Sequence, residues 1–262
     1  MKEGIGIALA GGGIRGIAHA GVLKALEEND IKIEAIGGTS AGSIVAALYA
    51  MGYKPYYIYT VFKKYAQDII NIGNAPIING LGNFIINKKI GFSGLNDGLL
   101  LEKMYNELAQ KKGIRTIADV EMPLAIPAVD ISEAKEYIFT NCAPRDNLND
   151  NYITEIDVGK AVRASSSFPA VFCPCEFKNH MFMDGGALDN VPVMPLKKIC
   201  NNKIIAVNFE ADPVEVNSDL MDIIMKTIDI MGNKIAEKAL AKSDYIKIHV
   251  YFAVQNTKTK SK

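Results

Sequence analysis

Twice within its first 51 residues the chain repeats one order: a short apolar run, a glycine-rich turn, then a helix. Gly4 to Ala10 is continuously apolar, as strands buried on both faces are. It leads through Gly11-Gly12-Gly13-Ile14-Arg15-Gly16 into a helical pattern over Ile17 to Glu28, with Ala18, Val22, Ala25 and Leu26 opposite Lys24, Glu27 and Glu28. Ile31 to Gly37 is the second apolar run. Gly38-Thr39-Ser40-Ala41-Gly42 follows it, and Ala41 to Met51 is a second helix, ended by Gly52 and Pro55. A chain that leaves each strand through a helix returns to pair in the same direction, so this order implies a central, mostly parallel sheet in an α/β fold.

Further along, the rhythm breaks. Residues 53–115 hold a tyrosine-rich helical piece, a Gly- and Asn-rich segment over 71–96 that reads as a lip or lid over a site, and a helix from Leu100 to Lys111. Pro123 to Ile131 returns to the sheet, its inner proline suggesting an edge or a bulge, and "EYIFTN" reads as its hairpin partner. Ile156 to Ala164 is a short helix, "FPAVFCPCEF" a rigid irregular segment, and "HMFMDGG" a strand that stops at two glycines. Lys203 to Phe209 is another buried strand. Leu220, Ile223, Ile224, Ile228, Met231 and Ile235 recur at helical spacing behind a Ser218 cap, and this stripe reads as core rather than as a lipid-binding face. "YIKIHVY" closes the fold, so residues 1–252 are expected to form a single domain and 253–262 a basic, flexible tail.

Composition narrows the partners. With 29 basic and 29 acidic residues the chain has no net field to attract nucleic acid or an anionic membrane. Cysteines 142, 173, 175 and 200 complete no zinc spacing and read as reduced thiols. The apolar start mimics a signal peptide but is too short and carries Glu3, so a cytoplasmic location is expected. No run of 18 uncharged apolar residues occurs, and any membrane contact is therefore expected to be peripheral.

The glycine loop alone admits two anions. Read as Gly11-x-Gly13-x-x-Gly16 it is a dinucleotide-binding turn, with Glu34 as the acid for a ribose. Read beside a reactive serine it is an oxyanion hole. Gly38-Thr39-Ser40-Ala41-Gly42 supplies that serine: it matches the G-x-S-x-G elbow, in which the chain reverses from strand to helix and exposes a strained nucleophile. Gly38 and Gly42 flank Ser40 because a β-carbon at either would collide across the turn, while Ser43 reads as structural. A serine hydroxyl needs a group to take its proton. Of the three histidines, His19 lies on the first helix, His180 four residues before Asp184 and His249 in the terminal strand, and none is favoured as the base. Asp184 is the better base, since Gly185 and Gly186 clear space around a carboxylate that is ionised at neutral pH.

The glycine loop, the serine elbow and Asp184-Gly185-Gly186, taken in order with "GIAHAGVLKALEE", "PLAIPAVDI", "AVRASSSFPAVFCP" and "DGGALDNVPV", resemble the patatin-like phospholipase family over nearly the whole chain. The resemblance implies a three-layer α/β/α sandwich and a serine lipid acyl hydrolase. It implies Ser40 as nucleophile and Asp184 as base, with Gly11, Gly12, Gly13 and Arg15 building the oxyanion hole. It requires neither metal nor cofactor, and its substrate is a lipid or other acyl ester. Two alternatives stand beside it: an NAD-type nucleotide-binding protein, and a lipid-binding protein without catalysis. The acyl lipid, the ester position and the oligomeric state are left open.

Overall fold

The computed structural model describes residues 4–73, 96–142, 144, 151–169, 171–209 and 220–249. Nearly all of the 71–96 lip, the Ser218 cap and the 253–262 tail lie outside the described residues.

Strand β1 (Ile5–Leu9) pairs in parallel with β2 (Ile33–Gly38) on one side and with β8 (Lys203–Asn208) on the other. Outward from β2 come β3 (Leu124–Asp130), β4 (Lys135–Thr140) and β5 (Tyr152–Ile153); outward from β8 comes β9 (Tyr245–His249). The hairpin β6 (Cys175–Phe177) and β7 (His180–Asp184) joins through an antiparallel pairing of β7 with β3. Parallel pairing thus runs through the centre, and the antiparallel pairs gather around β3.

Because side chains alternate across a strand, each central strand feeds two cores. In β1, Ile7 and Leu9 enter one and Ala8 enters the other, with Ala10 beyond it; in β8, Val207 enters the first and Ile204 and Ala206 the second. The first core lies under α1 (Ala18–Glu28), α2 (Ala41–Ala50), α3 (Pro55–Gly73), α4 (Leu99–Gln110) and α5 (Val158–Ser165). The second lies under α6 (Val193–Ile199) and α7 (Leu220–Leu240), through Val193, Leu196, Ala236 and Leu240. This is the expected three-layer α/β sandwich. The sheet continues through β9, so the segment after residue 200 belongs to the same layers.

Three expectations need correction. Strand β3 is no edge: every one of its residues is buried, and it pairs with β2, β4 and β7. Pro127 fits there because its carbonyl turns toward Gly185, and a residue's N–H points to the same side as its C=O. The missing donor therefore faces the gap where β3 changes partner from β2, paired through Ala125, to β7, paired from Ala128. No ladder bond is lost. Secondly, "FPAVFCPCEF" ends in a strand, β6, rather than remaining irregular. Thirdly, the stripe on α7 is not simply core: Ile223 and Met231 are exposed, and Ile228 and Met231 line a cavity.

Candidate active site

Ser40 caps α2 at the carboxyl end of β2 with φ 52° and ψ −120°. That conformation is nearly closed to residues bearing a β-carbon and costs on the order of 1–3 kcal/mol. A β-carbon at Gly38 would run into the Gly42 carbonyl, a collision across the turn as expected; one at Gly42 would instead meet the Leu9 carbonyl. Gly42 is small because the end of β1 lies against the first turn of α2.

Such strain persists only where neighbours hold it. The Ser40 N–H donates to Ser165 Oγ (3.0 Å), and its carbonyl accepts from Ser43 Oγ (2.6 Å) and Ser166 Oγ (3.2 Å). Ser43 is thus structural. Ser167 continues the run: its carbonyl accepts the Asp184 N–H at 3.1 Å, so one serine-rich helix end joins the elbow to the Asp184 backbone. The sequence reading missed Ser165, Ser166 and Ser167. Their signal was three consecutive hydroxyl side chains closing a helix, where short polar side chains bond backbone groups.

Asp184 ends β7 and is 4% exposed. Its Oδ1 accepts the Gly186 N–H at 2.8 Å. Burial pushes its carboxyl up to about 6, opposed by the Ser40 hydroxyl and the Gly186 amide. Ser40 is thus close enough to act on the carboxylate, yet Oδ2 is buried without a partner at hydrogen-bond distance among the described residues. Gly185 leaves room for the Pro127 carbonyl, which is how β3 and the Asp184 turn approach so closely.

The glycine loop follows β1 and faces the same space. Its first amide is already engaged: Gly11 N–H donates to the Asn190 carbonyl at 3.1 Å. This removes Gly11 from the expected oxyanion donors and makes it an anchor. The amides of Gly12 and Gly13 remain as candidate donors. A β-carbon on Gly12 would stand 2.5 Å from the Phe209 ring. Arg15 donates its N–H to the Gly12 carbonyl (3.2 Å) and sets its guanidinium 5.5 Å from the centre of the Phe209 ring, so it supports the loop.

The histidines serve elsewhere. His19, held neutral by burial with a pKa of about 4, bonds the Ala10 carbonyl through Nε2 at 2.8 Å and packs against Phe209. It supports the strand end from which the glycine loop springs. His180 Nδ1 meets Asp130 Oδ2 at 2.6 Å, and His249 lies on β9. Asp130, Glu133 and His180 bring ligand atoms within 4.8 Å of one another, but the oxygens of Asp130 are occupied by Ser132 and His180. Glu34 sits at the amino end of β2, paired with Lys32 and Asn202, opposite the end where the glycine loop lies. The dinucleotide reading loses its ribose acid.

A cavity of about 690 Å³ opens over Ser40 and Asp184. Phe62, Tyr65, Phe168, Phe172, Phe209 and Met231 make most of its wall apolar, and the glycine loop supplies polar atoms at its floor. Ile14 and Met231 line it while 54% and 56% exposed, so apolar surface continues outward from its mouth.

A strained serine at a strand-to-helix elbow and a buried carboxylate thus lie beside a glycine-rich loop on an α/β sheet. The chain belongs to the patatin-like phospholipase family, whose model matches residues 7–197. It is 30% identical over 210 residues to "Lysophospholipase NTE1" of Meyerozyma guilliermondii, covering 79% of this chain and 13% of that relative. It is 29% identical over 209 residues to "Uncharacterized protein YqhO" of Bacillus subtilis, covering 76% of this chain and 68% of the relative. Among solved structures, VipD from Legionella pneumophila superposes with a TM-score of 0.46 at 16% identity, over 86% of this chain and 52% of that one. The chain thus spans only a small part of the lysophospholipases it matches.

Proposed function

We propose that this protein hydrolyses carboxylic esters of acyl lipids, with lysophospholipids as the leading substrate class, through a Ser40–Asp184 dyad. The observation that carries this reading is a strained Ser40 set beside a buried Asp184 whose Oδ2 has no hydrogen-bond partner among the described residues. Asp184 takes the Ser40 proton as Oγ attacks the ester carbonyl and passes it to the departing alkoxide. Gly12 and Gly13 amides stabilise the oxyanion, and the N-terminus of α2 adds its dipole. The acyl-enzyme is then cleaved by a water whose proton moves through Asp184 back to Ser40, releasing a fatty acid. The apolar cavity suits an acyl chain, and the relatives' lysophospholipase name directs attention to substrates with one such chain. Ile14 and Met231 at the mouth would meet the lipid surface; among the described residues no helix is long and apolar enough to cross a membrane.

The test is fatty-acid release from lysophosphatidylcholine together with labelling by a fluorophosphonate. Labelling of the native protein that disappears in Ser40→Ala is expected; a folded native protein that neither labels nor releases fatty acid overturns the reading. Since Asp184 must be ionised to accept a proton, kcat should fall as the pH drops below about 6 and be level through neutral pH. Gly12→Ala, which forces the loop off the Phe209 ring, should lower kcat by roughly 10²-fold while the Ser40 label is still accepted. Undiminished kcat in Gly12→Ala would move the oxyanion site off this loop.

A further inference from the structure

Beside the turn that follows Asp184, two carboxyl groups meet. Glu136 projects from β4 and Asp189 from the turn that follows the Asp184-Gly185-Gly186 motif. Their side chains are hydrogen-bonded to each other. Glu136 Oε1 is sealed from solvent and meets no ordinary donor. Two carboxylates hold only acceptors, so a bond between them exists only when one carries a proton. Burial pushes both groups up, so one proton is held between the two carboxyls.

The turn that carries Asp189 touches both halves of the active site. Asp189 N–H donates to the Gly185 carbonyl (2.9 Å), and the Asp189 side chain accepts the Val191 N–H. The Asp189 carbonyl accepts Thr39 Oγ1 at 2.8 Å, one residue before the nucleophile. The next carbonyl, of Asn190, accepts the Gly11 N–H at the root of the glycine loop. We propose that Glu136 and Asp189 are positioning residues that share one proton and clamp the 189–191 turn, and with it the serine elbow and the glycine loop. The clamp's link to turnover rests on the hydrolase reading above.

Charged and titratable neighbours come from three directions. Lys198 on α6 acts on Glu136 and lies over the Tyr152 ring of β5, Lys242 beyond α7 acts on Asp189, and Lys135 on β4 is turned to the Tyr137 ring. These cations favour the single negative charge of the shared-proton state. Loss of the remaining proton at high pH leaves two anions in contact and pushes the turn away from Glu136.

Glu136→Gln replaces the shared proton by an amide donor that does not titrate. Infrared spectra at about pH 8, where Asp184 is ionised, should show a protonated-carboxyl band in the native protein that Glu136→Gln removes. In the pH profile of p-nitrophenyl ester hydrolysis, the alkaline fall in kcat should move up by at least one pH unit in Glu136→Gln. A native protein without the band, or a Glu136→Gln profile that superimposes on the native one, overturns the proposal. If the native protein turns over no ester, the hydrolase reading fails by itself. The clamp is then decided by amide exchange: Gly11 should exchange at least tenfold faster in Asp189→Ala, and an unchanged rate refutes it.

Discussion

Asp184→Asn is expected to lower kcat by about 10² to 10⁴ and, at the same time, to make the protein more stable. The first effect follows from the proposed role of the carboxylate: an amide cannot accept the Ser40 proton. The second follows from its burial. The carboxyl titrates at about 6 in the fold and ordinarily at 3.8, so holding it ionised above both values costs the native state about 3 kcal/mol. The sign is that of a raised carboxyl. The native state suffers no penalty below pH 3.8, acquires it as the pH rises toward 6, and carries it in full beyond. Asparagine retains the oxygen that accepts the Gly186 N–H and removes the charge. Thermal melts should therefore show a higher midpoint for Asp184→Asn than for the native protein at about pH 8, with the difference vanishing near pH 4. Full ester turnover in the variant would return the base role to another group. An equal midpoint at both pH values would show that the carboxylate is not held at a cost.

Much of this site was legible before any geometry, for reasons that differ by residue. Ser40, Gly38 and Gly42 could be read because a strand-to-helix reversal leaves so few residue types tolerable that the local pattern almost determines the turn. Asp184 was legible through the two glycines behind it. What could not be read were contacts between segments far apart in sequence. The engagement of Gly11 by Asn190, the support of Ser40 by Ser165 and Ser166, and the approach of Leu9 to Gly42 depend on how layers pack. Pro127 shows the same limit. Its residue type argues for an edge, and only the change of partner along β3 shows an interior site where its missing N–H costs nothing. The α7 stripe misled because helical periodicity reports an apolar face without saying whether core or cavity receives it.

Replacing Ser40, the proposed nucleophile, separates its chemistry from its strain. Ser40→Ala and Ser40→Gly should both reduce turnover to background and abolish fluorophosphonate labelling, because neither offers an oxygen. They should differ in stability. Alanine keeps a β-carbon at φ 52° and ψ −120°, whereas glycine adopts that conformation freely. Relief of roughly 1–3 kcal/mol of backbone strain is partly offset by the greater freedom of glycine in the unfolded chain, worth about 0.5–1 kcal/mol. Urea titrations should therefore place Ser40→Gly above Ser40→Ala by about 1 kcal/mol. Alanine more stable by about 0.5–1 kcal/mol, the whole of the unfolded-chain difference, would mean that the elbow stores no strain at Ser40. A serine kept where glycine is the more stable residue is a serine kept for its hydroxyl, and that inference stands on the stability difference without any measurement of activity.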